Sequence, residues 1–525
     1  MNHGALDARR YRYPVTLFGV LFALLLTWNM ATPPFASPDE PAHLYKAYGT
    51  AHGEMLGTPI PDQPSNIRLF DVPDTMGQPN VMCYFFVPEQ PADCATGSSS
   101  AGVSAAAVYP PFWYAIVGGG ARVIDSDGQR VYRAVAAALC AALIAAAFAF
   151  ARRSSAARLS PLLLLALPPM TLFLAGTVNP NGFEVAAFLL LWTLCLHISH
   201  RRATSWQSGM LVGLLLATVL LSRFASLIWV AGGVVVVIAL IGWNGAKRFL
   251  TTRFLLPAVG STVAAVAALF VWSVYAGAEA TDERIASDWT RSHVFTYTVK
   301  RLPEYARQMI GVLGWLDTRM PLVTYGAFAT ITIVAVAGVI TSRNRRLQLA
   351  TAAVFVGLLT APVLLNLVSA RKAGLIWQGR YALPLFAGLG VLGMIGWHET
   401  SERGATRHVP TVRLGVALLF VVAEVAGFWQ TLRRFTVGSS GKIWLDDPLA
   451  WNPPLSPLLL IAINAVVVTA FVAVVLVGTA NPSLDQAFDV PGTGRLESVI
   501  VGQRSAGRRA PGAGRNVSSN GTDEH

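Results

Sequence analysis

Twelve long apolar runs, joined by loops that alternate between basic and mixed polar, leave this chain few folds to choose from. They lie near 14–31, 129–151, 161–178, 183–199, 207–222, 224–243, 254–276, 321–341, 349–368, 381–397, 414–430 and 456–478. Each comes close to the roughly 20 residues a helix needs to cross the hydrocarbon of a bilayer. In lipid, backbone N–H and C=O groups must be satisfied within the protein, and a helix does this within its own segment. Of the 525 residues 54% are hydrophobic and 13% charged, whereas a soluble chain of this length divides into several domains with more charge. The expected fold is therefore all-α: a polytopic integral membrane protein of about 12 transmembrane helices.

Charge sets the expected orientation. Arg152, Arg153 and Arg158, then Arg201 and Arg202, Lys247, Arg248 and Arg253, Arg343, Arg345 and Arg346, and Arg403, Arg407 and Arg413 fall on the same side as residues 1–13. Basic loops favour the cytoplasm, so both termini are expected there. The count holds only if the apolar stretch Tyr109–Ile124, which opens with Tyr109-Pro110-Pro111, is a juxtamembrane or re-entrant helix and not a span. The membrane domain is then 14–478, and 479–525, rich in Gly, Ser and Arg, is expected to be a disordered cytoplasmic tail. The first run follows Arg9, Arg10 and Arg12 like a signal peptide, but without a convincing small-x-small cleavage site it reads as a retained helix. A net charge of +12 invites nucleic acid as a partner. Basic residues dispersed among loops, with no aromatic-interleaved patch, exclude it.

The polar bulk falls on the other, extracytoplasmic face: the long first loop 32–128, the turn 179–182, a second large loop 277–320, and loops 369–380 and 431–455. The first loop opens with Ser37-Pro38-Asp39-Glu40-Pro41-Ala42-His43. If this segment is helical, His43 shares a face with Asp39 and Glu40. Partial desolvation raises a carboxylate's proton affinity, which suits a general base. The same residues also read as a capping box, Ser37 to Glu40, with acids complementing a helix dipole. Pro41 works against that second reading, because the residue before a proline avoids the helical region. His43 either orients the carboxylate, touches an acceptor, or lies on a helix surface.

Cations on the outer face run against the topology bias and need another cause. Arg371, Lys372, Trp377, Arg380 and Tyr381 share one short loop. Guanidinium forks take phosphate oxygens in pairs, and aromatic rings stack on sugars or line a lipid groove. Arg223 stands between two apolar runs and needs an anion, either a lipid headgroup or a bound phosphate. Trp315 and Asp317, which precede a span, and Tyr109 and Trp113, which open the juxtamembrane stretch, are expected to contact substrate together with Trp377 and Tyr381. Asn179-Pro180-Asn181-Gly182 reads as an ordinary turn with no catalytic part. Cys140 and Cys195 fall within spans as packing residues, while Cys83 and Cys94 can pair if their loop is extracytoplasmic. Glu424 is an acid well inside an apolar run.

Taken in order, Ser37–His43, Tyr109-Pro110-Pro111-Phe112-Trp113-Tyr114, Asn179–Gly182, Gly314-Trp315-Leu316-Asp317-Thr318 and Gln378-Gly379-Arg380-Tyr381 resemble the bacterial membrane-protein family called domain of unknown function 2142. The resemblance runs from about residue 10 to 480. That family is similar to the GT-C superfamily of polytopic glycosyltransferases. The resemblance implies a plasma-membrane glycosyltransferase using a polyprenyl-phosphate sugar and an envelope glycan, glycolipid or protein acceptor. It implies an inverting displacement with Asp39 as base and Glu40 as the alternative; by the chemistry of the outer cations, Arg380 with Arg371 or Lys372 is expected to contact the phosphate, assisted by Arg223 if its helix end faces the same cavity. No cofactor is required; a divalent cation at the acidic motif is known in the superfamily, but two adjacent carboxylates do not argue for one. A transporter or flippase for lipid-linked precursors and a non-catalytic envelope-assembly protein are the rival readings. Ionisable residues that avoid the middles of spans, Glu424 apart, weigh against a transport path.

Overall fold

The computed structural model describes residues 3–77, 81–97, 102–126, 128–201, 205–250, 252–277, 289–371, 374–445 and 448–479. Lys372 and all of the expected tail beyond Thr479 lie outside the described residues. The chain begins with α1 (His3–Ala31), which ends at the face bearing the first loop. That loop folds into a cap: α2 (Glu40–Ala51), a small antiparallel sheet of β1 (Thr58–Pro59), β2 (Arg68–Phe70) and β3 (Gly102–Ser104), and α3 (Pro111–Val123). α3 has 13 residues, too few to span, as Tyr109–Ile124 was expected to be. It docks close to α2, where a side chain at Gly118 would strike the carbonyl of Ala47.

The membrane helices follow. α4 (Gln129–Arg152) descends from the cap face, and a 3₁₀ segment (Ala157–Ala166) with α5 (Pro169–Ala175) returns to it. Then come α6 (Pro180–Arg201), α7 (Trp206–Leu220), α8 (Ser226–Phe249) and α9 (Thr252–Ala276). Back on the cap face lie α10 (Arg291–Gly311) and the hairpin of β4 (Val312–Leu313) and β5 (Thr318–Arg319). α11 (Leu322–Thr341), α12 (Arg345–Ser369), α13 (Leu383–Thr400), α14 (His408–Val437) and α15 (Pro457–Gly478) complete the bundle.

Ten described helices are long and apolar enough to span, or eleven if the 3₁₀–α5 pair counts as one. The short apolar α7 brings the apolar segments to the twelve expected. Two of those twelve differ in form from the sequence reading. The run 161–178 is not one straight helix but a pair bent by 76°. Pro168 and Pro169 lack N–H donors, and each turns the preceding residue away from helix. α7 has 15 residues, about 22 Å at 1.5 Å each, less than the bilayer core.

The core lies around α6 and α13, whose apolar windows are 78% and 83% buried, against 17% for peripheral α8 and α9. Small residues let α13 approach its neighbour, with Gly393 against Ala335 and Gly396 against Gly338 of α11. In lipid, close van der Waals contact of this kind holds helices together.

Candidate functional site: an acid–arginine pair under the cap

The acidic motif is held by a side chain that sequence reasoning missed. Arg133, near the start of α4 and fully buried, donates through Nε to Glu40 Oε1 at 2.7 Å and through Nη2 to Glu40 Oε2 at 2.6 Å. It also donates to the carbonyls of Thr32 (2.7 Å) and Pro33 (2.8 Å). One guanidinium thereby pins both ends of the loop between α1 and α2. Glu40 Oε1 accepts in addition from the Val178 N–H at 3.0 Å. The alternative base is thus fully buried with both oxygens bonded, which corrects its expected role: Glu40 is an anchor.

The capping box also gives way. Ser37 Oγ pairs with Thr177 Oγ1 at 3.0 Å, and the Pro38 carbonyl accepts from Asn179 Nδ2 at 2.9 Å. The turn at Asn179 therefore positions the motif from across the bundle. Asp39, held between these anchors, precedes the helix with φ 63°, a left-handed conformation uncommon for residues other than glycine. Its side chain caps nothing. Its carbonyl accepts from the His43 N–H at 3.1 Å, one turn further on. Its Oδ2 instead accepts from Arg380 Nη2 at 2.6 Å.

The two partners are unlike in exposure. Asp39's side chain is 46% exposed and Arg380's 1%. Arg380 lies on a 3₁₀ turn (Gly379–Ala382) that α10 and α12 hold in place. The Gly379 N–H donates to Gln308 Oε1 at 2.8 Å, and the Trp377 N–H to Asn366 Oδ1 at 3.2 Å. Arg380 Nε and Nη1 are buried and, among the described residues, have no hydrogen-bond partner. A buried guanidinium with two donor nitrogens unbonded among the described residues, beside a half-exposed carboxylate, is a candidate site for a second anion.

Arg223 joins from the α7–α8 turn. It donates to Glu184 Oε2 at 3.0 Å and to Asn181 Oδ1, while Ser226 Oγ donates to Glu184 Oε1 at 2.5 Å. Arg223 and Arg380 lie over the same Tyr381 ring, 5.0 and 5.3 Å from its centroid. Each arginine already pairs with an acid, but only Arg380 of the two keeps buried donor nitrogens without a hydrogen bond among the described residues, so it is the cation better placed for an incoming anion. His43 Nδ1 pairs with Tyr114 Oη at 2.9 Å, and its ring lies 5.9 Å from that of Tyr109. Burial drives its pKa down to about 3 against the opposing pull of Asp39, leaving the imidazole neutral.

Other residues singled out in the sequence fall elsewhere. Asp317 is buried in an ion pair with Arg434 at 3.1 Å, and Trp315 stacks on Phe85 at 4.1 Å. Arg434 also donates to the carbonyls of Tyr84, Val87 and Gln90. These contacts strap the cap segment 81–97 to α14 and tie Asp317 into a buried ion pair. Cys83 and Cys94 form a disulfide within that strap. Trp113 is fully buried and Arg371 is exposed. Lys46, also buried, donates to the Ala107 carbonyl at 2.7 Å and lies among Phe70, Tyr114 and Trp272. Arg133 was legible by the argument applied to Arg380, as a cation on the face where topology disfavours one.

Beside Arg380 an apolar groove of about 500 Å³ runs between α10, α11 and α12. Tyr305, Met309, Phe328, Phe355, Trp377 and Phe386 line it, together with Gly379 and Ala382 on either side of Arg380. Among the described residues no three His, Cys, Asp or Glu side chains gather to hold a metal ion.

An all-helical bundle with ten to twelve membrane segments and a charged site under a cap on one face defines a multi-pass membrane protein. The chain belongs to the family of predicted membrane proteins called DUF2142, which it matches over residues 22–389. No curated protein matches it. Two solved structures are similar. ArnT from Cupriavidus metallidurans, bound to undecaprenyl phosphate, is 14% identical with a TM-score of 0.43, over 93% of this chain and 80% of that one. The Archaeoglobus fulgidus oligosaccharyltransferase, tethered to an acceptor peptide containing the NVT sequon, is 13% identical with a TM-score of 0.32, over 82% of this chain and 56% of that one.

Proposed function

We propose that the protein is a membrane glycosyltransferase. It moves a sugar from a polyprenyl-phosphate donor to an envelope acceptor, on the extracytoplasmic face of the bacterial plasma membrane. One observation carries this reading: Arg380, 1% exposed, has one Nη on Asp39 while its Nε and other Nη have no hydrogen-bond partner among the described residues. A phosphate that binds these two donors completes the guanidinium and weakens its hold on Asp39. The carboxylate is then free to accept a proton from an acceptor hydroxyl. That oxygen attacks the anomeric carbon, the bond from carbon to phosphate oxygen breaks, and the phosphate leaves with the electron pair. Arg380 bears the charge that develops there, and the configuration at carbon inverts. The apolar groove flanking Arg380 suits the hydrocarbon chain of such a donor, and the reaction calls for no nucleotide-binding fold.

His43, neutral and bonded to Tyr114, is suited to orient groups at the site and not to exchange protons at neutral pH. The test is transfer from a polyprenyl-phosphate sugar by the purified protein in lipid. Arg380→Ala should weaken donor use by about 10- to 100-fold, the loss of a charge-assisted contact, and Arg380→Lys should recover part of it. Arg346→Ala, on the opposite face, should leave turnover unchanged. Equal losses at Arg380 and Arg346 would sink the phosphate-site reading.

A further inference from the structure

Helix α10 carries a feature that neither the acid–arginine pair nor the groove uses. Trp289, just before its N-cap, and His293, Tyr297 and Arg301 recur every four residues and touch in series. The Trp289 and His293 rings lie 4.8 Å apart, and His293 stacks on Tyr297 at 6.5 Å. The Arg301 guanidinium sits over Tyr297 at 5.2 Å and donates to its hydroxyl at 2.6 Å. One turn further, Tyr305 meets Trp377 at 6.4 Å, and Trp377 meets Tyr381, the ring under Arg380, at 5.9 Å. The ladder on α10 is roughly 18 Å long at 1.5 Å per residue, and its inner end leads to the pair Asp39–Arg380.

An interfacial aromatic belt facing lipid would look similar from sequence, but the helix has another face for that. Phe295 and Val299 are 52% and 39% exposed, and at 3.6 residues per turn they point about 160° away from Tyr297. The ladder thus faces away from the exposed apolar side. The helix itself is basic: α10 holds Arg291, Lys300, Arg301 and Arg307 against one acid, Glu304. Flat rings in series accept the apolar faces of pyranose rings, and guanidinium groups bind carboxylates in pairs.

We propose that this face of α10 is a track for an acidic saccharide chain, guiding an acceptor glycan toward Asp39. The proposal rests on the glycosyltransferase reading and names the acceptor class. It is tested by binding alone. The full-length protein, in phosphatidylcholine nanodiscs, is titrated with a hexamer of galacturonate and with its neutral methyl ester. The acidic hexamer should bind, the ester at least several-fold more weakly. The double variant Tyr297→Ala, Arg301→Ala should lose at least tenfold, while Phe295→Ala on the opposite face should bind like the wild type. No hexamer binding, or binding indifferent to the double variant, would overturn the proposal. So would a double variant that keeps the hexamer but retains less phosphatidylglycerol in mixed nanodiscs, which would assign the ladder to lipid headgroups. Because no turnover is read, failure of the glycosyltransferase reading would appear in the transfer assay and leave this one unaffected.

Discussion

Two adjacent acids, alike in sequence, have opposite surroundings, and this separates their mutants. Asp39→Asn keeps the shape of the side chain but cannot take a proton, so transfer should fall by about 10²–10⁴-fold while the protein folds and binds donor. Glu40→Gln should instead act on stability. It strips the charge partner from buried Arg133, a loss of roughly 3–5 kcal/mol for a buried pair broken from one side. The measurement is thermal unfolding beside a transfer assay: the first variant stable and inactive, the second destabilised. The reverse pattern would exchange the two roles. His43 adds a pH signature. Its folded pKa, about 3, lies below the ordinary value of 6.5. Between these values the unfolded chain binds the extra proton, so stability is full above about pH 6.5 and falls as pH drops toward 3. His43→Gln should flatten that acid limb of the melting-temperature profile, and an unchanged limb would remove His43 as its source. The motif was legible in sequence, but the division of labour within it was not. That division depends on Arg133, 93 residues away in the chain, and on a left-handed backbone at Asp39.

Elements position the site through close contacts that carry no charge. A side chain at Gly379 would strike the carbonyl of Tyr305, so Gly379→Ala should push the turn bearing Arg380 off α10. Donor affinity and melting temperature should both fall, read by donor titration beside thermal unfolding. Unchanged affinity would show that the turn can move without cost. The strap 81–97 tests a second element. Arg434→Ala removes the cation from Asp317 and from three strap carbonyls, and should make this segment sensitive to added protease without opening the membrane helices. Apolar runs revealed the helices because burial in lipid imposes length and composition. They concealed the break at Leu167-Pro168-Pro169, where hydropathy stays high while the backbone bends by 76°. Likewise Trp315 and Asp317, polar and aromatic like a binding loop, are fixed by a strap whose contacts are remote in sequence.

At the scale of the whole molecule, the alternation of loops places the cap, the acid–arginine pair and α10 on one face and the basic turns on the other. The two faces differ as the sequence led one to expect, because topology is written in local charge. Arg346, at the start of α12, reaches the Ile241 carbonyl of α8, and Arg413 that of Leu476 on α15, so loops far apart in sequence meet at the basic end. By the positive-inside rule this end is expected to face the cytoplasm, and under that assignment Asp39 would lie outside. The last prediction tests that assignment with the native disulfide kept and Cys140 and Cys195 changed to serine. Gln63→Cys, exposed on the cap, should react with a membrane-impermeant maleimide added to intact cells. Glu402→Cys, exposed between α13 and α14, should react only after the cells are opened. Under the proposed function, a polyprenyl-phosphate sugar would reach Asp39 from the leaflet on the cap side. If Glu402→Cys labels first and Gln63→Cys does not, the donor must be drawn from the cytoplasmic leaflet. The geometry of the site would stand, but the envelope acceptor would have to be replaced by a cytoplasmic one.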